Sequence, residues 1–239
     1  MKRALITGAS GTLGAAITGE LARAGVHVIV HAHSNAAQAE TIGAQIRASG
    51  GSAEVAIFDV SSSEDCAREI DLLLKAGPVQ VLVHNAGITA DAPMAGMTTQ
   101  QWSTVIDVSL NGFFNVTKPV LLPMLRTRWG RIIAISSVSG IIGNRGQANY
   151  AAAKAGLHGA VKSLAIEVAS RGVTVNAIAP GIIESPMTKS AFSDTDIERL
   201  VPMKRAGTPQ EVASVVRFLC SEQASYVSGQ IVAVNGGMA

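Results

Sequence analysis

The chain has 239 residues, of which 48% are hydrophobic and 15% charged, and its mean hydropathy is +0.32. A chain this apolar has enough side chains to bury a core, which excludes a disordered protein. Its 19 basic and 17 acidic residues leave a net charge of +2, which does not indicate nucleic-acid binding. The 24 glycines follow no collagen period and form no flexible linker, so they need local explanations.

The sequence indicates neither a metal site nor a membrane segment. Cys66 and Cys220 lie far apart and outside any Cys-x-x-Cys pattern, so neither a disulfide framework nor a zinc site is predicted. The apolar run that begins at Ala4 ends at Thr7, too early for a signal peptide. No stretch approaches the roughly 18 apolar residues of a membrane span. We therefore expect a cytoplasmic protein without a metal.

Seven short runs rich in β-branched residues, bounded by Gly, Asn or Asp, predict strands. In chain order they are Ala4–Thr7, Val26–His31, Ala53–Phe58, Val79–His84, Arg131–Ser136, Val173–Ile178 and Gln230–Val234. Runs such as Val81–Val83 and Ile132–Ile135 are apolar throughout rather than alternating. Because strands of a parallel sheet are buried on both faces, this composition predicts a parallel sheet.

Segments of helical length separate these strands. They are Thr12–Ala24, Ala36–Ser49, Glu64–Lys75, Thr99–Arg126, Tyr150–Ser170 and Pro209–Leu219. Thr208 and Glu211 have the spacing of a capping box, and Ser63 is the predicted cap before Glu64. The segment at about 182–205 breaks the strand and helix pattern, and we predict that it is a substrate lid.

The first strand leads directly into a glycine-rich turn and then a helix. In a βαβ unit such glycines permit a tight turn, close approach to a pyrophosphate and close helix packing. The helix N-terminus favours the anion. The candidate cofactor residues here are Gly8, Ser10, Gly11, Thr12, Leu13 and Gly14. We predict an α/β fold, a Rossmann-type three-layer αβα sandwich with a seven-stranded parallel sheet in one domain, residues 1–239.

The end of the second strand carries no acidic residue. Enzymes that use NAD place Asp or Glu there to bind the ribose 2′-hydroxyl. This chain instead has His33, Ser34 and Asn35, which can donate hydrogen bonds to a 2′-phosphate, so NADP(H) is favoured. No arginine is present there to clamp that phosphate, and His33 is also compatible with an ordinary surface residue.

Tyr150 and Lys154 are four residues apart, so on a helix they project from one face. A free tyrosine has a pKa of about 10 and is a poor acid or base near neutrality. A nearby ammonium favours the phenolate, so we expect the pKa of Tyr150 to be lowered. The pair therefore predicts a general acid–base group in which Tyr150 transfers the proton.

These motifs together resemble the short-chain dehydrogenase/reductase family over essentially the whole chain. The resemblance rests on Thr7-Gly8 and Gly14, Asp59-Val60, Asn85-Ala86-Gly87, Ser137, Tyr150 with Lys154, and Pro180-Gly181. The segments 85–89, 146–154 and 234–238 are similar to the 3-oxoacyl-[acyl-carrier-protein] reductase branch of that family. One departure is that the middle glycine stands at Gly11 and not at the position of Thr12.

The resemblance assigns roles to residues by position. It implies that Ser137 binds the substrate carbonyl, with Ser136 as the alternative, and that Lys154 also holds the nicotinamide ribose. It adds to the cofactor site Asp59, Val60, Asn85, Ala86, Gly87, Pro180, Gly181, Ile183 and Ser185, with Thr188 a further candidate. Relatives carry Asn where this chain has Ser109, and that Asn orders a water that relays protons to the lysine. We expect Ser109 and water to take over this task; the alternative is that proton resupply is impaired.

The function implied is NADPH-dependent reduction of a 3-oxoacyl thioester on acyl carrier protein, in fatty-acid or polyene biosynthesis. Arg128 and Arg171 occupy carrier-protein-contacting positions near the site mouth, although ordinary surface charge is an alternative interpretation. The family implies a homotetramer or dimer. Two other interpretations stay open: a dehydrogenase acting on a CoA thioester or small alcohol or ketone, and a catalytically weak, cofactor-binding partner subunit.

Overall fold

The computed structural model describes residues 1–239, except for the side chain of Met187. The strands are β1 (Arg3–Ile6), β2 (His27–Ala32), β3 (Ala53–Ile57), β4 (Val81–His84), β5 (Gly130–Ile135), β6 (Val173–Pro180) and β7 (Ile231–Val234). The helices are α1 (Thr12–Arg23), α2 (Ala36–Ala48), α3 (Ser63–Leu74), α4 (Thr99–Ile106), α5 (Gly112–Arg126), α6 (Ser139–Ile142), α7 (Ala148–Val168), α8 (Pro186–Ala191), α9 (Asp194–Leu200) and α10 (Pro209–Leu219).

The strands form one parallel sheet in the order β3-β2-β1-β4-β5-β6-β7. This confirms the predicted parallel sheet, and each predicted strand ends within two residues of its place in the structure. The chain leaves β1 toward β2 on one side, whereas it leaves β4 toward β5 on the other. A crevice therefore opens at the carboxyl ends of β1 and β4, where doubly wound sheets bind their ligands.

Side chains on the two faces of the sheet pack into two separate hydrophobic cores. In β1, Leu5 packs into a core with residues of α3, α5 and α7, such as Ile70 and Leu157. Its neighbour Ile6 packs into a second core with α1, α2 and α10, represented by Ile17. Because successive residues of a strand point to opposite faces, this arrangement gives the predicted three-layer sandwich. Strands β5 and β6 are buried throughout, and the edge strands β3 and β7 are partly exposed.

The helices differ from the prediction at three places, one of which is α6, a short helix that the sequence did not predict. The helix predicted over Thr99–Arg126 is interrupted by a π turn at Asp107–Asn111, because hydrophobic periodicity does not reveal a single wide turn. The cap of α3 is Ser62 and not Ser63, since the Ser62 hydroxyl accepts a hydrogen bond from the backbone of Asp65. Among the described residues, no helix combines the length and apolar character needed to cross a bilayer.

The segment predicted as a lid holds two short helices, α8 and α9. Its first residues are held by an isolated parallel bridge between Ile183 and Gly207. At its far end Arg205 makes two hydrogen bonds to Glu211, which also closes the predicted capping box with Thr208 at the start of α10. Both ends of the segment are therefore fixed to the body of the fold.

Candidate active site

A cleft of about 470 Å³ opens at the carboxyl edge of the sheet. Turns after β1, β4, β5 and β6, the start of α7 and the predicted lid all contribute to its wall. The predicted site residues that line it are Thr12, Leu13, Asn85, Gly87, Ser137, Tyr150, Lys154, Pro180, Gly181, Ile183, Ser185 and Thr188. Residues that are distant in the sequence thus meet in one cleft because their strands are parallel and end at the same edge.

The glycine turn after β1 has two positions that only glycine fits. Gly8 has a φ of +63°, and a Cβ on Gly14 would lie 2.3 Å from the Gly8 carbonyl oxygen. A Cβ on Gly11 would meet that same oxygen at 3.5 Å, an ordinary contact. Asn85 fixes the turn by donating from Nδ2 to the carbonyls of Thr7 and Gly8, each at 3.0 Å. The displaced middle glycine therefore does not disturb the turn.

His31 is a buried residue of this region for which the sequence predicted no definite role. Its Nδ1 accepts a hydrogen bond from the Gly8 N–H at 3.1 Å, and its Nε2 lies 2.9 Å from the Phe58 carbonyl, to which it donates. Burial lowers the pKa of His31 to about 4, which keeps the ring neutral. Its position near the end of an otherwise apolar strand was the available signal. The ring braces the glycine turn against the end of β3.

The residues predicted for the adenosine end lie further along the same edge. His33, Ser34 and Asn35 are exposed after β2, and the Asn35 side chain caps α2 by accepting from Gln38. His33 Nε2 lies 3.9 Å from a carboxylate oxygen of Asp59. Partial burial raises the pKa of Asp59, but hydrogen bonds from Ser61 outweigh it and hold that pKa below its usual value. An anionic carboxylate therefore stands close to the imidazole.

Tyr150, Lys154 and Ser137 come together at the centre of the cleft. The side chains of Tyr150 and Ser137 both line the cleft, and the Ser137 side chain acts on the Tyr150 phenol. The Ser137 hydroxyl also accepts from the Ser139 N–H at 3.1 Å. Lys154 Nζ donates to the Ile135 carbonyl at 2.7 Å and lies 5.5 Å from the centre of the Tyr150 ring. Two hydroxyl groups thus lie beside one buried ammonium.

The pKa of Tyr150 is raised and not lowered, so the prediction from its spacing to Lys154 is wrong. Burial raises the pKa of Tyr150 most, the hydrogen bond with Ser137 opposes this, and the charge of Asp91 raises it further. Burial also lowers the pKa of Lys154 to about 8. A raised tyrosine pKa keeps the phenol protonated at neutral pH, which is the form that donates a proton.

The alternative serine, Ser136, is committed elsewhere. Its side chain is buried, donates to the Lys154 carbonyl at 3.0 Å and lies 2.7 Å from His158 Nε2. Because the hydroxyl proton goes to that carbonyl, the imidazole must donate to the serine oxygen. These contacts tie β5 to α7. The geometry therefore favours Ser137 over Ser136 as the hydroxyl that faces the cleft.

Ser109 lies in the π turn and is fully buried. Among the described residues its hydroxyl is one of three buried side-chain polar atoms that have no hydrogen-bond partner. A Cβ on Gly87 would lie 3.1 Å from Lys154 Nζ and 3.4 Å from the Ser109 hydroxyl oxygen, so the two groups flank one spot. Asn111 instead donates to Asp107 at the surface. Of these two residues, only Ser109 faces the lysine.

Arg128 and Arg171 do not lie at the mouth of the cleft of their own chain. The prediction of their position is therefore wrong. They precede β5 and β6, so they lie at the amino edge of the sheet, opposite Ser137. Both are exposed, and Arg128 donates to the Ser170 carbonyl at 3.2 Å. Parallel strands place residues before and after them at opposite edges, which sequence position alone already implied.

The cleft fits a dinucleotide that carries ribose hydroxyls and phosphates. A lysine ammonium has three donors, and Lys154 uses one on Ile135 although it is buried. Two further features belong to the same wall. One is the Ser109 hydroxyl, which has no hydrogen-bond partner, and the other is the close contact of α1 with Gly8 at the position of Gly14. Within the described part of the chain, no group of three or more His, Cys, Asp or Glu side chains is arranged to hold a metal ion.

Known proteins resemble this chain in sequence over almost its whole length. A family model described as enoyl-(acyl carrier protein) reductase matches residues 8–239. The chain is 46% identical over 240 residues to the 3-oxoacyl-[acyl-carrier-protein] reductase of Escherichia coli K12, covering 99% of this chain and 97% of that one. It is 44% identical over 236 residues to the enzyme of that name from Aggregatibacter actinomycetemcomitans, with 98% of each covered. These matches, with the glycine turn and the Tyr150–Lys154 pair in one cleft, show that the chain belongs to the short-chain dehydrogenase/reductase family.

Proposed function

We propose that this chain reduces the 3-oxo group of an acyl thioester on acyl carrier protein to a 3-hydroxyl group with NADPH. The pathway class is fatty-acid or related polyene biosynthesis. The observation that carries the proposal is that Tyr150 and Ser137 line one cleft beside the buried ammonium of Lys154. The two hydroxyls form a receptor for one carbonyl oxygen, and the names of the relatives supply the substrate class.

In this mechanism the substrate ketone oxygen accepts hydrogen bonds from Ser137 and Tyr150. Such donors stabilise the negative charge that develops on the oxygen as the carbonyl is reduced. Tyr150 then gives its proton to that oxygen, because its raised pKa has kept the phenol protonated. The phenolate that remains is stabilised by the positive charge of Lys154.

Family membership implies a nicotinamide cofactor, which when bound supplies the hydride. The glycine turn and α1 would hold its pyrophosphate, and Lys154 has donors for its nicotinamide ribose. We propose NADP(H) rather than NAD(H), because the residues that follow β2, His33, Ser34 and Asn35, carry no carboxylate of their own. The Asp59 carboxylate at this edge lies 3.9 Å from His33 Nε2, and in the proposal this imidazole, at the ends of the adjacent strands β2 and β3, donates to a phosphate. Asp59, Val60, Ala86 and Gly181 complete the cofactor wall in the proposal.

Proton resupply to Tyr150 is proposed to run through Lys154 and a water held by Ser109. The support is the unpartnered Ser109 hydroxyl and its place beside Lys154 across Gly87. The segment 182–205 is proposed as the substrate lid of a single domain spanning 1–239. Phe192 and Leu200 from that segment line the cleft, and a lid that excludes water strengthens the hydrogen bonds inside it.

The proposed partner is acyl carrier protein, an acidic protein that Arg128 and Arg171 would contact. Because both arginines lie at the amino edge of the sheet, they would serve the cleft of a neighbouring copy in a homotetramer or dimer. The cytoplasmic location stays a prediction from the sequence.

A substrate panel tests the proposal. The purified protein is given NADPH or NADH with acetoacetyl-carrier protein, acetoacetyl-CoA, a small ketone or crotonyl-carrier protein, and cofactor oxidation is followed. We expect the highest kcat/KM with acetoacetyl-carrier protein and NADPH. Crotonyl-carrier protein is included because the matching family model is named for enoyl reduction, whereas Tyr150 and Ser137 are arranged for a carbonyl oxygen.

The other possible results of the substrate panel distinguish the alternative functions. A preference for acetoacetyl-CoA or for the small ketone would support an enzyme of the same family with another substrate. Cofactor binding without turnover of any substrate would support a catalytically weak partner subunit. In the same panel His33→Asp, which adds an exposed carboxylate at the end of β2, should shift the preference toward NADH. An unchanged ratio of the two cofactors would contradict the NADP(H) proposal.

A further inference from the structure

His84 at the end of β4 is fully buried and connects two parts of the site. Its Nδ1 lies 3.3 Å from the Thr7 hydroxyl, which precedes the glycine turn. Its Nε2 lies 3.0 Å from the backbone carbonyl of Ser109 in the π turn. The imidazole therefore spans from the cofactor turn to the residue that flanks Lys154.

The neighbouring hydrogen bonds determine where the protons of this network lie. The Thr7 hydroxyl oxygen accepts from the backbone N–H groups of Asn85 and Ala86, each at 3.0 Å. Both of its lone pairs are then used, so its one proton is donated to His84 Nδ1. The ring proton must therefore be on Nε2, from which it is donated to the Ser109 carbonyl. Only the neutral Nε2–H tautomer satisfies every bond.

The surroundings of the ring hold it in this state. Burial lowers the pKa of His84 to about 3, and the charges of Lys154 and, less strongly, His31 act in the same direction. The helix α5, which follows the π turn, packs against the ring. Its residue Phe113 lies edge-on to His84, with the two ring centres 5.9 Å apart. A Cβ on Gly112 would lie 3.3 Å from His84 Cε1.

We propose that His84 is a positioning residue: its Nε2–H fixes the Ser109 carbonyl in the π turn and so keeps the Ser109 hydroxyl beside Lys154. A π turn shifts backbone hydrogen bonds by one residue, and such turns are frequent at functional sites. The imidazole supplies a side-chain donor to that turn. The proposal rests on the proposed function, in which Ser109 holds the water that resupplies protons.

Nuclear magnetic resonance on the cofactor-free protein tests the proton positions directly. Long-range proton–nitrogen spectra of the histidine rings, with His84 identified by its loss in His84→Gln, report tautomer and charge. We expect the Nε2–H tautomer from pH 5 to pH 9, with slow exchange of the ring proton. An Nδ1–H tautomer, or titration near the ordinary histidine pKa of about 6.5, would overturn the proposal. This readout needs neither substrate nor turnover, so it is independent of the proposed function.

A double-mutant cycle tests whether His84 acts through Ser109. We expect His84→Leu to lower kcat about ten-fold, with KM for NADPH and the 3-oxoacyl substrate changed less than two-fold. In a Ser109→Ala background the same substitution should change kcat less than two-fold. His84→Gln keeps an amide donor at a similar reach and should recover most of kcat.

Ile70→Ala, a buried position in α3 outside the site, is the matched control for lost stability. It should lower the melting temperature and leave kcat unchanged. Equal loss of kcat from His84→Leu in both backgrounds, or none in either, would show that His84 does not position Ser109. If His84→Leu does not fold, a His84→Gln variant with kcat reduced as far as in Ser109→Ala would equally overturn the proposal.

Discussion

Tyr150 and Ser137 line the same cleft, and these two neighbouring side chains define what the proposed site can do at the residue scale. Burial raises the pKa of Tyr150, so at neutral pH the side chain is a phenol ready to donate. Reduction of a ketone consumes one proton at its oxygen, and a protonated donor suits that direction. Lys154, with a pKa lowered by burial to about 8, carries charge at neutral pH, and in the proposed mechanism it stabilises the phenolate that follows.

Tyr150→Phe removes the proton donor and keeps the ring. We expect kcat for the 3-oxoacyl substrate to fall about 10²- to 10⁴-fold, the range that general acid catalysis contributes. NADPH affinity, measured by fluorescence titration, should change little. Tyr226→Phe alters the other tyrosine, which is fully exposed, and should leave kcat unchanged. Retention of most turnover by Tyr150→Phe would defeat the assignment of the acid.

The Tyr150–Lys154 pair was predicted from its spacing, whereas the resemblance to the family implied Ser137, and the structure places all three in one cleft. Sequence reasoning gave the wrong direction for the pKa of Tyr150, since spacing shows a neighbouring charge but not the depth of burial. It also missed the roles of His31 and His84. Their contacts cross between strands, and only the folded sheet brings those partners together.

At the scale of elements, the turn from β1 to α1 depends on close packing rather than on glycine content. The Gly14 position abuts backbone atoms of Gly8 and Ala9, and backbone cannot give way as a side-chain end can. Gly11 has room around it. The glycine-rich sequence predicted the turn. Only the packing of α1 against the turn shows which of these glycines are required.

Gly14→Ala and Gly11→Ala separate these two cases. We expect Gly14→Ala to lose about 1–3 kcal/mol of unfolding free energy through overpacking, and to weaken NADPH binding by displacing the turn. Gly11→Ala should stay within about 0.5 kcal/mol of the natural protein. Urea unfolding and fluorescence titration measure both effects. Equal losses in the two variants would contradict the packing argument.

The π turn between α4 and α5 is an element that the sequence did not predict. Its residues Asp107–Asn111 continue the apolar periodicity closely enough that one long helix is the natural prediction. The wide turn is visible only in the backbone. It matters because it places the Ser109 hydroxyl near the same side of Gly87 as Lys154 Nζ.

At the scale of the whole molecule, the sequence predicted the type of sheet but not which residues lie at each of its edges. Apolar strands and alternating helices predicted a parallel three-layer sandwich, and the sheet confirms it. The same sheet places Arg128 and Arg171 at the edge opposite the catalytic hydroxyls. A role for them in docking therefore requires a second copy of the chain.

Charge reversal at both arginines tests that role. Arg128→Glu with Arg171→Glu should raise KM for acetoacetyl-carrier protein about ten-fold and leave KM for acetoacetyl-CoA unchanged, because only the carrier is an acidic protein. The matched control, Arg23→Glu with Arg68→Glu, makes the same change in net charge at other exposed positions. An equal effect on both substrates would refute docking at these arginines.

Two buried neutral histidines make the stability of the fold pH-dependent. Burial lowers the pKa of His31 to about 4, below an unfolded value of 6.5. The unfolded chain therefore binds the extra proton first, and stability is lost as the pH falls from 6.5 toward 4. The difference between these two pKa values corresponds to about 3 kcal/mol at the acid end.

His31→Asn should consequently show a weaker dependence of unfolding free energy on pH between 4 and 6.5 than the natural protein. Urea unfolding at a fixed protein concentration across this range measures it, and all other titrating groups are shared by the two proteins. An identical slope would mean that His31 is not held neutral by the fold.

If this chain reduces the 3-oxo group of a carrier-bound acyl chain as proposed, hydride from NADPH must arrive at C3 of that chain. This is measured with NADPH that carries deuterium at both positions on C4 of the nicotinamide, acetoacetyl-carrier protein and mass spectrometry of the product. We expect a 3-hydroxybutyryl-carrier protein with one deuterium on C3. Recovery of unreduced acetoacetyl-carrier protein after prolonged incubation, or a product without deuterium, would contradict the proposed function.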